Sequence, residues 1–287
     1  MICPQCQSQN PDNARFCENC GTRLEKPAAK MVEKPAVNDG PGALPPTGSD
    51  LAPGDIFADR YRIESEVGRG WMGVVYAAND KLTDHKLALK LVRPERLVVK
   101  DALKRIVREV VMSRDIRHQN VVAVYDAGEV GGVPYVATEL LQGSSLWDYN
   151  RKHLLTAEGW PVSSAVEIVR QLLAGLKAAH AAGVVHRDLK PTNILLLDDP
   201  AKRIVLKITD FALAAASGST ETGATSIGGT AYMSPEQIAA PDAAKPSADI
   251  YSLSAIFYEL LTGVASTGNW QPPSQGRNDV PPALDRL

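Results

Sequence analysis

Four cysteines stand within the first twenty residues and the rest of the chain has none, so its two parts must be stabilised by different means. The pattern is Cys3-Pro-Gln-Cys6, ten residues, then Cys17-Glu-Asn-Cys20-Gly21. Two residues between cysteines let a tight turn aim both sulfurs at one point, and Gly21 permits the positive φ that such turns often need. About twenty residues cannot bury enough apolar surface to fold alone, and a tetrahedral zinc shell worth roughly 10–16 kcal/mol is the usual remedy. Two disulfides or a redox pair are the alternatives, although a redox Cys-x-x-Cys occurs singly inside a larger α/β pattern.

From about residue 25 to 54 the sequence turns to Pro, Ala, Gly and Lys without hydrophobic period, including Gly40-Pro41-Gly42 and Pro45-Pro46. Nothing there can form a core, and it reads as a disordered tether. The 287 residues thus suit a small module plus a larger domain of two lobes. A formal charge of -2 gives no global attraction to nucleic acid or anionic lipid. No apolar run approaches the roughly 20 residues of a membrane span, and the start lacks the pattern of a signal peptide. A cytoplasmic protein with no nucleic-acid partner and no membrane segment is the expectation.

The pattern sharpens at Tyr61, where residues 61–67 alternate as a strand does, followed by Gly68-Arg69-Gly70-Trp71-Met72-Gly73 and then Val74-Val75-Tyr76. A second alternating run, 86–92, places Leu87, Leu89 and Leu91 on one face and Ala88 and Lys90 on the other. Residues 101–115 have helical spacing, with Ile106 and Val110 on one stripe, and 121–126 and 133–139 read as further strands. This succession predicts an antiparallel sheet with one helix. After Gly143 the pattern becomes helical: Val166, Val169, Leu172, Leu173 and Leu176 mark an amphipathic helix over 163–180, and 248–261 is apolar nearly all round.

A lone Gly-x-Gly-x-x-Gly is a weak signal, and a dinucleotide-binding fold uses the same letters. There the glycines open a helix, whereas here a strand continues, giving a hairpin able to lie over phosphates. In order, the chain then presents Ala88-Leu89-Lys90, a helical Glu109, His186-Arg187-Asp188-Leu189-Lys190-Pro191-Thr192-Asn193, Asp210-Phe211, Ser234-Pro235-Glu236 and Asp249. From Asp55 onward this resembles the serine/threonine protein kinase family in its bacterial form. The first 24 residues resemble the short zinc ribbons that head many bacterial proteins, down to Asn10-Pro11, Phe16 and the Cys-Gly ending, and disulfides would suit a cytosolic kinase poorly.

The resemblance implies an α+β, two-lobed kinase fold over residues 55–287, with an N-lobe to about 141 and a mainly helical C-lobe truncated at its C-terminus, after a ribbon over 1–24 and a linker over 25–54. It implies ATP, Mg2+ or Mn2+, and structural Zn2+ on Cys3, Cys6, Cys17 and Cys20. Gly68, Arg69, Gly70 and Gly73 would cradle the phosphates. Lys90, held by Glu109, would meet the α/β-phosphates and Lys190 the γ-phosphate. Asn193 and Asp210 would bind magnesium, and Asp188 would accept or orient the hydroxyl proton. Val75, Ala88 and Leu195 would enclose adenine, the backbone of Glu139 and Leu141 would pair with its edge, and Thr138 would stand behind as gatekeeper. The reaction implied is transfer of the ATP γ-phosphate to Ser or Thr of protein substrates, with autophosphorylation between Phe211 and Ser234, where Thr222 and Thr225 are favoured acceptors. A kinase dimer and a protein partner of the ribbon are compatible with it.

Several positions depart from the family. Ala212 replaces the glycine after Asp210-Phe211, and Gly229 stands where a threonine normally meets the catalytic loop, Thr230 following one residue later. The arginine that usually pairs with Glu236 is absent, and residues 267–278 are Pro/Gly-rich where many relatives have another helix. Ala212 and Gly229 motivate one rival reading, a nucleotide-binding pseudokinase scaffold; a second, independent of them, makes the ribbon a partner-binding module regulated by the kinase domain.

Overall fold

The computed structural model describes residue 9 and residues 50–70, 72–94, 110, 112–153, 159–201, 203–211, 229–240, 244–265 and 270–286. The chain falls into two compact units, Met1–Ala43 and Leu44–Leu287. The four cysteines, most of the linker, Trp71, Glu109, Ala212 and the serine/threonine-rich stretch 217–226 lie outside the described residues.

The second unit begins with a six-stranded sheet in the order β1-β2-β3-β4-β6-β5, every neighbouring pair antiparallel. Its strands are β1 (Ile56–Phe57), β2 (Tyr61–Arg69), β3 (Gly73–Asp80), β4 (His85–Val92), β5 (Val124–Val130) and β6 (Val133–Glu139). Alternation sets the core face. Tyr61 and Ile63, Val74, Tyr76 and Ala78, and Leu87, Leu89 and Leu91 are all buried in one cluster, so Ala88 and Lys90 look the other way, as expected. Arg60 braces the far edge, reaching Asp80 at 2.7 Å and Asp126 at 2.8 Å. Val110, Met112 and Ser113 are helical.

The strand expected at 121–126 starts later, at Val124. Its first residues are drawn instead onto β9 (Leu206–Ile208), where the Val122 amide donates to the Ile208 carbonyl and the Ile208 amide to that of Asn120, both at 2.9 Å.

A second, antiparallel sheet runs β7 (Gly143–Ser145), β8 (Ile194–Leu197), β9. Around it lie α1 (Leu146–His153), α2 (Val162–Ala181), α3 (Pro235–Ala239), α4 (Pro246–Thr262) and the single turn α5 (Pro273–Gly276). Helix α2 buries Ala165, Ile168, Leu172, Leu176 and Ala179. The expected face was rotated: Val166 and Leu173 are 42% and 45% exposed. Small residues lie on the buried face, Ala165, Gly175 and Ala179 among them, and Gly175 brings the helix so close to β9 that a Cβ there would stand 2.9 Å from the Ile208 side chain; size-weighted reading of apolar letters overlooks them. Helix α4 carries its burial almost all round, as expected, and stops at Gly263, whose φ of 74° suits a left-handed cap. In the Pro/Gly-rich stretch 267–278 only α5 is helical among the described residues. No helix among the described residues is long and apolar enough to cross a membrane.

Candidate active site

A cavity of about 510 Å³ opens between the two sheets, within the range of small-ligand sites. Val67, Gly68, Val75, Ala88 and Lys90 form its upper wall, Thr138, Glu139 and Leu141 its back, and Leu195, Thr209, Asp210 and Phe211 its lower wall. The expected adenine-enclosing residues Val75, Ala88 and Leu195 are therefore together. The Glu139 amide is committed to the Ala123 carbonyl at 3.0 Å, and its own carbonyl accepts from the Thr138 hydroxyl at 3.4 Å. Its carboxylate accepts from Lys207 Nζ and from the Ala123 amide, both at 2.7 Å, tying the segment that joins the lobes to β9. Sequence reasoning had not singled out Lys207. A lysine in a short alternating strand looks like any solvated residue.

The glycines of the β2–β3 hairpin serve different purposes. A Cβ built on Gly68 or Gly70 meets no heavy atom within 4 Å, whereas one on Gly73 would stand 1.9 Å from the Leu91 carbonyl oxygen. Gly73 is thus required by the pairing of β3 with β4, and the first two leave backbone open to a ligand. The Arg69 side chain turns away to Glu66 at 2.7 Å and Asp50 at 3.0 Å, so only its backbone is available to a phosphate.

Lys90 reaches across the cavity to Asp210, Nζ to Oδ1 2.8 Å. Burial opposes the charge on Asp210, but the cations Lys90, His186 when protonated and Lys190 outweigh it and hold the carboxyl below its ordinary value. The expected partner of Lys90, Glu109, lies outside the described residues.

Below this pair, Asp188, Lys190 and Asn193 form one cluster. Lys190 Nζ is 3.0 Å from Asp188 Oδ2, and Asn193 Nδ2 donates to the Asp188 carbonyl at 2.7 Å and to its Oδ2 at 3.1 Å. The 3-10 turn Pro191–Asn193 brings Asn193 back under Asp188. Thr209 joins the two halves: its amide and hydroxyl donate to the Asn193 carbonyl at 2.9 and 3.2 Å, and its carbonyl pairs with His186 Nε2 at 2.8 Å.

The segment before Asp188 is anchored from within the helical lobe. Asp249 of α4 accepts the amides of His186 at 2.9 Å and Arg187 at 2.8 Å, and contacts His180 Nε2 at 2.7 Å. Arg187 and Asp210 both have positive φ, 65° and 66°, conformations that persist in non-glycine residues only where neighbours hold them. One further anchor escaped the sequence reading. Gln237 of α3 donates Nε2 to the Arg187 carbonyl at 2.7 Å. Its place three residues after Ser234 was legible as a capping box, its reach to residue 187 was not.

The protein kinase domain family model matches residues 61–279 and a zinc-ribbon domain model residues 2–24. The probable serine/threonine-protein kinase PknB of Lactococcus lactis is 37% identical over 213 residues, 73% of this chain and 32% of that protein. PrkC of Bacillus subtilis, also a serine/threonine-protein kinase, is 35% identical over 238 residues, 82% of this chain and 34% of its own. The chain therefore spans about a third of the length of these curated relatives. The crystal structure of the Mycobacterium tuberculosis PknI kinase domain C20A mutant superposes with a TM-score of 0.66 at 24% identity, over 80% of this chain and 85% of that one, a likeness of fold. Domains of this family take ATP, a divalent cation and a protein acceptor. By its matched residues, its order of motifs and its relatives, this chain belongs to the protein kinase domain family, with the bacterial serine/threonine-protein kinases.

Proposed function

We propose that the segment from about residue 55 to 287 is an ATP- and magnesium-dependent serine/threonine protein kinase in bacterial signalling, carried behind a zinc ribbon over residues 1–24 and a linker over 25–54. The observation that carries this reading is the Lys90–Asp210 pair on the cavity wall, with Lys190 near enough to act on the Asp210 charge and itself 3.0 Å from Asp188, whose Oδ2 also accepts from Asn193 at 3.1 Å. Phosphoryl transfer asks a protein mainly to align two oxygens and neutralise charge, and this set supplies both.

In this reading Lys90 holds the α/β-phosphates and Lys190 the γ-phosphate, over the open backbone of Gly68–Gly70. Asp188 orients the acceptor hydroxyl and takes its proton as the acceptor oxygen bonds to the γ-phosphorus and the bond to the β-phosphate oxygen breaks, leaving ADP. The residues suit magnesium. Asp210 and Asn193 offer hard oxygen donors, and no group of three or more His, Cys, Asp or Glu among the described residues could cage a metal, so the ion would rely on phosphate and water, as Mg2+ prefers. The cation neutralises charge developing on the phosphates when bound. Structural zinc on Cys3, Cys6, Cys17 and Cys20, a protein partner for the ribbon and a cytoplasmic location complete the proposal.

Lys90→Met and Asp188→Asn test it. Each removes a charge-placing group outside the apolar core, so each should lower the autophosphorylation rate with labelled ATP by at least about 10²-fold while melting within a few degrees of the parent. Transfer retained in either variant would refute the assignment. A chain that binds ATP but shows no transfer at all would favour the scaffold reading that Ala212 motivates.

A further inference from the structure

We propose that Gln237 is a positioning residue for Asp188: its carboxamide fixes the peptide between Arg187 and Asp188, and with it the direction of the Asp188 carboxylate. The inference rests on the reading of Asp188 as the proton acceptor.

Four hydrogen bonds define the backbone that enters Asp188. The amides of His186 and Arg187 donate to Asp249 at 2.9 and 2.8 Å, the Asp188 amide donates to His186 Nδ1 at 3.3 Å, and the Arg187 carbonyl accepts from Gln237 Nε2 at 2.7 Å. Asp249 therefore fixes the peptides before Arg187, while the peptide leading into Asp188 is held by Gln237 on its carbonyl and by a longer contact on its amide. That peptide follows a residue at φ 65°, where the backbone does not stay in place unless it is held.

Gln237 is built for this one bond. It is 3% exposed, and its Oε1 accepts from the Ser234 amide at 3.3 Å and from the Ser234 hydroxyl at 3.2 Å. The network thus assigns the carboxamide: oxygen toward Ser234, nitrogen toward Arg187. Pro235 and the capping-box geometry of α3 set the side chain's origin. Gln237 lines no part of the ATP cavity, so its effect reaches chemistry through Asp188 and not through nucleotide binding. Because only Met233 and Ser234 separate α3 from the turn Gly229–Tyr232, the same bond connects the end of the segment after Phe211 with the catalytic loop.

Gln237→Met keeps length and shape but loses the donor. In the full chain the maximal autophosphorylation rate should fall by about 10- to 100-fold, the size of a small misplacement of a catalytic group, with KM for ATP within about twofold of the parent. The double variant with Asp188→Asn separates positioning from general damage: Gln237→Met should add nothing to Asp188→Asn, because the group it positions is already disabled. An unchanged rate in Gln237→Met, or the same fold loss repeated on top of Asp188→Asn, would overturn the inference. The reading of Asp188 itself is tested separately, by the rate of Asp188→Asn alone. Should Gln237→Met fail to fold, Gln237→Glu decides. Its carboxylate can still accept from Ser234 but offers the Arg187 carbonyl no donor, so the maximal rate should fall by the same factor, about 10- to 100-fold, with KM for ATP within about twofold of the parent. A parental rate would overturn the proposal.

Discussion

The roof and the floor of the cavity are held in opposite ways. In the roof, β2 is seated in the core by Tyr61 and Ile63 but exposed from Glu64 onward, and the hairpin closes on a Gly70 to Gly73 bond of 2.9 Å with open space beside Gly68 and Gly70. In the floor, His186, Arg187 and Asp188 are tied by buried side chains of two helices. Few buried contacts leave the roof free to follow a ligand, whereas the floor is fixed before any ligand arrives. The charges that must be placed most accurately stand on the side with the most anchors.

The largest effect should come from breaking the floor. Asp249→Ala leaves two backbone amides and His180 without their acceptor in a fully buried place, since Asp249 is 0% exposed. Such losses cost about 3–5 kcal/mol. Urea denaturation should show that loss together with abolished transfer, and parental values for both would mean the loop is preset by something else.

Within the roof the comparison can be sharpened glycine by glycine. Gly73→Ala must displace the Leu91 backbone, an overpacking that costs about 1–3 kcal/mol. Gly70→Ala should change stability by no more than about 0.5 kcal/mol and act on KM for ATP instead. Equal destabilisation of the two would show that the hairpin is as tightly seated as the floor.

The same division explains what was legible in the sequence. Alternation gave Leu87, Leu89 and Leu91 their face, and with it the opposite face for Lys90, because one buried side fixes strand register. The order of motifs placed Asp188, Lys190, Asn193 and Asp210 together. Helix α2 misled because Val166 and Leu173 repeat at a helical interval on its exposed side, and periodicity alone does not say which stripe a neighbour covers. The anchors Gln237 and Lys207 were hidden for another reason. Each acts through long-range polar bonds, Gln237 to Arg187 and Lys207 to Glu139 and Val121, and no local pattern encodes partners 50, 68 or 86 residues away.

The effect confined to a pH window concerns a second buried carboxyl of α4. Glu259 is 8% exposed, accepts from the Tyr232 hydroxyl at 2.5 Å and more weakly from Asn150 at 3.4 Å, and is not among the ion pairs of the described residues. Burial pushes its carboxyl up, and the bonds from Tyr232 and Asn150 only partly offset this. The folded chain therefore keeps a proton on Glu259 at pH values where the unfolded chain, titrating near 4.5, has released it. Stability falls as pH rises from that value through the raised folded one, and the deficit is constant above both. Glu259→Gln abolishes the titration while its amide oxygen can still accept from Tyr232, and the long contact with Asn150 is little to lose. Relative to the parent, the variant should gain about 1.4 kcal/mol per pH unit inside that window and hold the gain at higher pH. Denaturation curves of both proteins across about pH 4.5 to 8 read the difference directly. Parallel curves would show that Glu259 titrates as an ordinary glutamate, and that Tyr232 is fixed to α4 by its Ser252 contact, Oγ to the Tyr232 carbonyl at 2.7 Å, without help from a proton.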